Sequence, residues 1–231
     1  MMNVCTECGE YSVRREILCD KGVSVCPQCL HQMSFLQLPL FSVTGPSGCG
    51  KTTACRILMQ SRRDVVVFEG DVLWRNEYAA NRTLEFRDLC LRVAKNISQS
   101  GRPVVLCGSS SPGEFEQCDE ARYFSGIHYL ALIARNEEIE RRLKARPDWR
   151  NSGNNCFIET HQKWADWLRS QDFEQDVTLL DTSDIGIHET LTRLNGWLDS
   201  RIAFAQQVDA PEPTTMVSPA LHHHNDRPGD L

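Results

Sequence analysis

Residues Gly45-Pro46-Ser47-Gly48-Cys49-Gly50-Lys51-Thr52 follow an apolar run over residues 40–44 and open a helical pattern that reaches Leu58. Glycines in such a loop let successive backbone N–H groups turn inward around an anion. The helix that starts there adds partial positive charge at its N-terminus. Pro46 fixes φ at the loop entry. A loop of this kind needs a strand before it and a helix after it, so it commits the chain to alternating β and α structure. Within it, Lys51 is placed to reach β- and γ-phosphates and the Thr52 hydroxyl to join a magnesium shell. Ser47, Gly48, Cys49, Gly50 and Thr53 line the remaining phosphates. Cys49 reads as a small tolerated side chain rather than a redox switch.

The alternation continues downstream. Residues 65–68, 104–107, 127–134 and 177–180 read as strands, rich in β-branched and apolar residues. Helical patterns fill 84–97, 136–146, 155–170 and 187–200. Short apolar strands separated by helices predict a three-layer α/β fold, with five parallel strands covered on both faces. Ligands of such sheets bind beyond the carboxyl ends of the strands.

Three regions separate by composition: residues 1–36, with paired cysteines, 38–204, with the alternation, and 205–231. The last holds Pro211, Pro213, Pro219 and Pro228 and few large apolar side chains, so it is expected to be disordered. His222, His223 and His224 fall in that solvated tail. The net charge of -6 argues against broad attraction to duplex nucleic acid or acidic membranes. No apolar stretch is long enough to span a bilayer, and no basic-then-apolar leader opens the sequence. Cytoplasm is the expected location, and a disulfide framework is not expected there despite eleven cysteines.

A phosphate loop alone leaves several ATP- and GTP-using classes open. No Asn-Lys-x-Asp run is present for guanine. The third strand ends Cys107-Gly108-Ser109-Ser110-Ser111, without the acid expected of a motor-type ATPase. The second strand instead runs into Glu69-Gly70-Asp71, and Arg141, Arg142, Arg146 and Arg150 cluster within ten residues further on.

Glycine loop, acid after the second strand and arginine-bearing lid together resemble the nucleoside and nucleotide kinase-like P-loop proteins. Gluconate, shikimate and chloramphenicol phosphotransferases belong to the same broad group. The resemblance covers residues 38 to about 200. It implies that Asp71, with Glu69 second, faces the hydroxyl of a phosphoryl acceptor. In-line transfer needs a positioned nucleophile more than a strong base. It also implies that the lid arginines act on the transferring phosphoryl, Arg146 and Arg150 above all, with Arg142 toward the nucleotide. At helical spacing Arg142 and Arg146 share a face, and Pro147 ends the helix. A charged face paired with Glu137, Glu138 and Glu140 is the bland alternative for these arginines. Near the adenine the resemblance places Thr182 and Ser183, although Ser183 or Asp184 serves equally well as a turn or helix cap. Trp74 is the aromatic candidate for acceptor contact, whereas Trp164 and Trp197 read as core.

Cys5-x2-Cys8 and Cys26-x2-Cys29, with seventeen residues between the pairs, match a four-cysteine zinc site. Four thiolates fill all tetrahedral corners, so the zinc is expected to be structural, in a small N-terminal ribbon with strands over 11–17 and 23–25. Cys19 and His31 stay outside the shell. Arg14, Arg15 and Lys21 are offset by Glu7, Glu10, Glu16 and Asp20, so the ribbon is no basic patch. The expectation is a kinase using ATP and magnesium on a small acceptor, a nucleoside or nucleotide, with nucleic acid less favoured and no membrane. Two alternatives remain: a kinase acting on RNA or another polymer docked by the ribbon, and a regulatory or assembly ATPase.

Overall fold

The computed structural model describes residues 2–79 and 81–208. In chain order the first strands are β1 (Glu16–Leu18), β2 (Val23–Val25) and β3 (Gln32–Ser34), which pair antiparallel as β1-β2-β3. Then come β4 (Leu40–Thr44), α1 (Lys51–Ser61), β5 (Val66–Glu69), α2 (Thr83–Ser98), β6 (Val104–Cys107) and β7 (Ile127–Ile133). Helices α3 (Asn136–Lys144) and α4 (Asn155–Ser170), strand β8 (Asp176–Asp181) and helix α5 (Ile187–Val208) complete the described chain.

Strands β4 to β8 form one five-stranded sheet in the order β5-β6-β4-β7-β8, and every pairing is parallel. This is the α/β P-loop architecture that the alternation predicts. The central strand β4 is buried over its whole length. Its period of two divides the core: Phe41 and Val43 join Leu58, Leu143 and Leu198 in one cluster, and Leu40 joins Phe86, Leu91 and Phe115 in the other. Each such side chain contributes about 1.5–3 kcal/mol by leaving water. The polar residues of β4 are also used, because Ser42 and Thr44 both hydrogen-bond Ser110 and tie down the turn that follows β6. All five strands point their carboxyl ends at the same edge of the sheet.

The ribbon packs against α2 and the short 3-10 turn Asp119–Tyr123. The Leu36 amide donates to Gln99 Oε1 at 2.9 Å, and Gln99 Nε2 returns a bond to the Leu36 carbonyl at 3.0 Å. The Met2 amide donates to Asn96 Oδ1 at 2.9 Å, and Phe35 meets Tyr123 edge to face at 5.4 Å. Beneath this seam Lys95, wholly buried, pairs with Glu120 and lies over the Tyr123 ring. Inside the ribbon, buried Arg15 donates to the carbonyls of Asn3 and Glu10, binding the strand region to the first cysteine turn.

Three boundaries differ from the sequence reading. Helix α3 ends at Lys144, so Arg146 lies in the turn beyond it and does not share a helical face with Arg142. The ring of Pro147 accounts for this, because it disfavours helical backbone at the residue before it. Helix α5 continues to Val208, past the expected start of the tail at 205, because the first proline comes only at Pro211. The rest of the expected tail, with its three histidines, lies outside the described residues. The ribbon has a third strand, β3, and its first strand is confined to Glu16–Leu18, with Tyr11 making only an isolated bridge to Val4. No helix among the described residues is long and apolar enough to cross a membrane.

Candidate active site

The loop between β4 and α1 depends on glycine at its first position. Gly45 has φ +123°, and a Cβ there would lie 2.0 Å from the Leu132 carbonyl oxygen of β7. The ammonium of Lys51 turns across the loop, donating to the carbonyls of Gly45 and, at 2.9 Å, Pro46. Desolvation in the loop lowers the Lys51 pKa. Thr52 Oγ1 donates to Glu69 Oε1 at 3.3 Å, and the Ser47 amide donates to His161 Nδ1 of α4, also at 3.3 Å. Cys49 is fully buried, and burial pushes its thiol up to about 11, away from the reactive thiolate.

Two cavities meet at the end of β5. One, of about 490 Å³, is lined by Lys51, Thr52, Arg56, Asp71, Arg146 and Arg150 among others. Among the described residues none of Arg56, Arg146 and Arg150 makes an ion pair. Burial and the neighbouring Arg150 lower the pKa of Arg146. The other cavity, of about 410 Å³, is lined by Asp71, Trp74, Thr83, Phe86, Arg87 and Ser109. Asp71 and Ser109 therefore belong to both walls. Trp74 stands edge-on to Phe86 at 4.9 Å and is exposed toward this space. Arg87, which is buried, is held rigidly by Glu114 at 2.7 Å and the Ser109 carbonyl at 2.5 Å.

A third cavity runs from Gly48, Cys49, Gly50 and Thr53 toward Ile185 and Ile187. Thr182 borders it, but its hydroxyl lies among the carbonyls of Cys49 and Ile133 and the guanidinium of Arg142. Arg142 itself donates to the Gly48 carbonyl at 3.2 Å, to the Thr182 carbonyl at 2.7 Å and to Glu138 at 2.5 Å. It clamps the phosphate loop to the end of β8. Glu138 in turn is pulled down to about 2 by Arg141 and then Arg142. Arg141 is exposed and, among the described residues, engaged only by Glu138, and Glu140 pairs with Lys144. Ser183 accepts the Arg135 amide and bonds Asp181, the turn role foreseen as its alternative. Trp197 is buried in the core, and Trp164 packs partly buried against Ala131, Ile133 and Leu168.

Sequence reasoning did not single out His161, Arg87 or Arg56. Arg87 carried a faint signal, a charge between Phe86 and Cys90 on the apolar side of its helix. His161 carried none, because its partner lies 114 residues away.

In the ribbon the four thiols of Cys5, Cys8, Cys26 and Cys29 lie within 4.8 Å of one another. Cys5 to Cys29 and Cys8 to Cys26 are both 3.7 Å apart. A tetrahedron of thiolates about 2.3 Å from zinc has edges of about 3.8 Å, so the donor set fits that ion. The two turns repeat one design. The Gly9 and Leu30 amides bond the Cys5 and Cys26 carbonyls at 3.0 Å, and both residues are left-handed, at φ +74° and +60°. The backbone N–H of Cys8 pulls the Cys5 thiol down to about 6, and that of Cys29 lowers Cys26 in the same way.

Comparison with known sequences decides the family: the AAA domain model matches residues 42–164, more than half of the chain. The chain belongs to the AAA domain family. The match takes in the phosphate loop, Asp71, Arg141, Arg142, Arg146, Arg150 and His161, while the cysteine ribbon lies before it. No curated protein matches the sequence. Among solved structures, this AAA domain protein is similar to an unliganded sugar kinase from Janibacter sp. HTCC2649, at 15% identity and a TM-score of 0.57, covering 71% of this chain and 95% of that one. A gluconokinase from Sinorhizobium meliloti 1021 is similar at 16% identity and 0.54, covering 76% and 100%. The tunicamycin resistance protein of Deinococcus radiodurans is similar at 20% and 0.52, covering 71% and 96%. At these identities the likeness shows the fold, a P-loop α/β domain preceded here by the ribbon.

Proposed function

We propose that this AAA domain protein is a kinase that transfers the γ-phosphoryl of ATP to a hydroxyl of a small acceptor, a nucleoside or nucleotide. One observation carries the reading: Asp71 lies on the wall shared by the phosphate cavity and the aromatic cavity beside it. A carboxylate at such a junction can orient a hydroxyl from one space toward a phosphorus in the other. Phosphoryl transfer needs little more than this positioning and stabilisation of charge on the moving group. That two of the similar structures are a sugar kinase and a gluconokinase supports the same chemistry.

In this scheme the loop amides and Lys51 hold the phosphates, and Thr53 with the Ile185–Ile187 side receives the base. Magnesium, held at Thr52 with Glu69 beside it, would neutralise phosphate charge when bound. Asp71 accepts a hydrogen bond from the acceptor hydroxyl and takes up its proton as the acceptor oxygen bonds the γ-phosphorus and the bond from that phosphorus to the bridging oxygen breaks, leaving ADP. Arg146 and Arg150, which have no carboxylate partner among the described residues, stabilise the charge that develops on the transferring oxygens. Trp74 and Phe86 offer a face and an edge to a planar acceptor, and Arg87 fixes the depth of that pocket. The ribbon, residues 1–36, is a zinc-stabilised module, and the phosphotransfer domain runs from residue 38 to the end of α5.

The test is a radiolabelled MgATP screen across nucleosides, nucleotides, sugars, sugar acids and short RNA ends. Label should appear on one small-molecule class, and that acceptor should accelerate ATP consumption at least tenfold. Label on RNA alone, or water-driven hydrolysis that no acceptor stimulates, would overturn the reading.

A further inference from the structure

His161 reaches the phosphate loop from α4, a helix with no other direct hold on the loop's amides. The Ser47 amide donates to its Nδ1 at 3.3 Å, so the neutral ring carries its proton on Nε2. Nε2 is neither buried nor hydrogen-bonded within the protein among the described residues. Phe157 meets the ring edge to face at 4.4 Å, with Trp164 on the other side at 6.3 Å. The ring is thus held by packing and by one backbone donor, with its single N–H free.

Two further observations concern the surroundings of this N–H. Ser47 lines the cavity that contains Asp71, whereas Gly48, Gly50 and Thr53 line both that cavity and the one running toward Ile185. Ser47 therefore marks the acceptor-facing end of the loop. The charged groups facing His161 are Lys51 from α1 and Arg146 from the turn after α3, both cations. A protonated ring would add to this repulsion, while a neutral N–H adds a donor without adding charge. Burial first, then Lys51 and Arg146, pull the imidazole down to about 4, in agreement with a ring that stays neutral.

We propose that His161 is a positioning residue for the terminal phosphoryl group, donating from Nε2 while the Ser47 amide fixes its tautomer. This rests on the nucleotide reading of the loop given above. It assigns to α4 the task of distinguishing a triphosphate from a diphosphate.

The test compares binding of MgATP and MgADP to the full chain by calorimetry. His161→Asn, whose side chain reaches only the Nδ1 position, should weaken MgATP about tenfold and MgADP less than twofold. His161→Gln, whose amide reaches the Nε2 position, should keep most of the wild-type preference. In the wild type the ratio of the two affinities should stay flat from about pH 8 to 6, because a ring of pKa about 4 does not titrate there. A ring acting as a cation would instead sharpen the preference on acidification through its ordinary range near 6.5. Equal losses for both nucleotides, no loss in either variant, or a preference that rises on acidification would overturn the proposal. Lys51→Ala separates the two layers: if it leaves both nucleotides bound as before, the nucleotide reading of the loop fails, whatever His161 does.

Discussion

Glu69 Oε1 lies 3.3 Å from Thr52 Oγ1, whereas Asp71, two residues on, lines both the phosphate cavity and the aromatic one. The acid that ends β5 thus faces Thr52, and the one two residues on faces the two cavities. On the proposed mechanism Glu69 serves the magnesium side and Asp71 the acceptor side.

Substituting the two acids separates these roles. Asp71→Asn keeps size and hydrogen bonding and removes charge, so acceptor-dependent turnover should fall at least a hundredfold with MgATP affinity nearly unchanged. Glu69→Gln should instead raise the magnesium concentration needed for half-maximal rate. Steady-state kinetics with varied metal and acceptor check both, and the reverse pattern would exchange the assignments.

The arginines should divide similarly. Arg146→Ala and Arg150→Ala remove cations that make no ion pair among the described residues and should lower turnover by about 3 kcal/mol or less each, with little change in unfolding. Arg142→Ala removes the tie between Gly48, Thr182 and Glu138, and should cost about 2 kcal/mol or more in urea unfolding. An Arg142 variant as stable as the parent would show that this clamp is dispensable.

The metal site makes a compositional prediction. Protein purified without added metal should contain about one zinc per chain, and Cys8→Ser should lose it. So small a three-stranded sheet has little core of its own, so metal removal should unfold the ribbon while the five-stranded sheet persists. Circular dichroism with and without chelator follows this directly. Metal-free protein with an intact ribbon would contradict it.

Leu30 occupies the left-handed position that Gly9 fills in the matching turn, and the residue is 72% exposed. An L side chain in that region costs about 1 kcal/mol and here recovers little by packing. Leu30→Gly should therefore stabilise the zinc-loaded ribbon by about that amount, and Gly9→Ala should destabilise it. Urea midpoints of the loaded protein measure both.

How far the sequence disclosed this molecule depends on how local each signal was. Strands Leu40–Thr44 and Val104–Cys107 and helix Asn155–Ser170 stand where their patterns placed them, because a glycine, a proline or a capping Asn marks their ends. Strand β3 escaped notice: three residues are too few to show a period. Charge spacing alone puts Arg146 on the helix, but Pro147 restricts its predecessor and the helix ends at Lys144. The clamp by Arg142 and the contact of His161 join residues roughly a hundred positions apart, and no local pattern encodes such distances. The clustering of the four cysteines is legible because each Cys-x2-Cys pair closes its own turn, a local pattern.

Helix α2 has the mechanics of a rigid rod. Its first turns carry Phe86 and Arg87 on the wall of the aromatic cavity, and its far end carries Asn96 and, just beyond, Gln99, which grip the ribbon. Sixteen residues at about 1.5 Å each make it about 24 Å long. Its two ends cannot shift independently along their common axis, so a pull on the ribbon and a change in the depth of the aromatic pocket are one displacement, seen from the two ends of one helix.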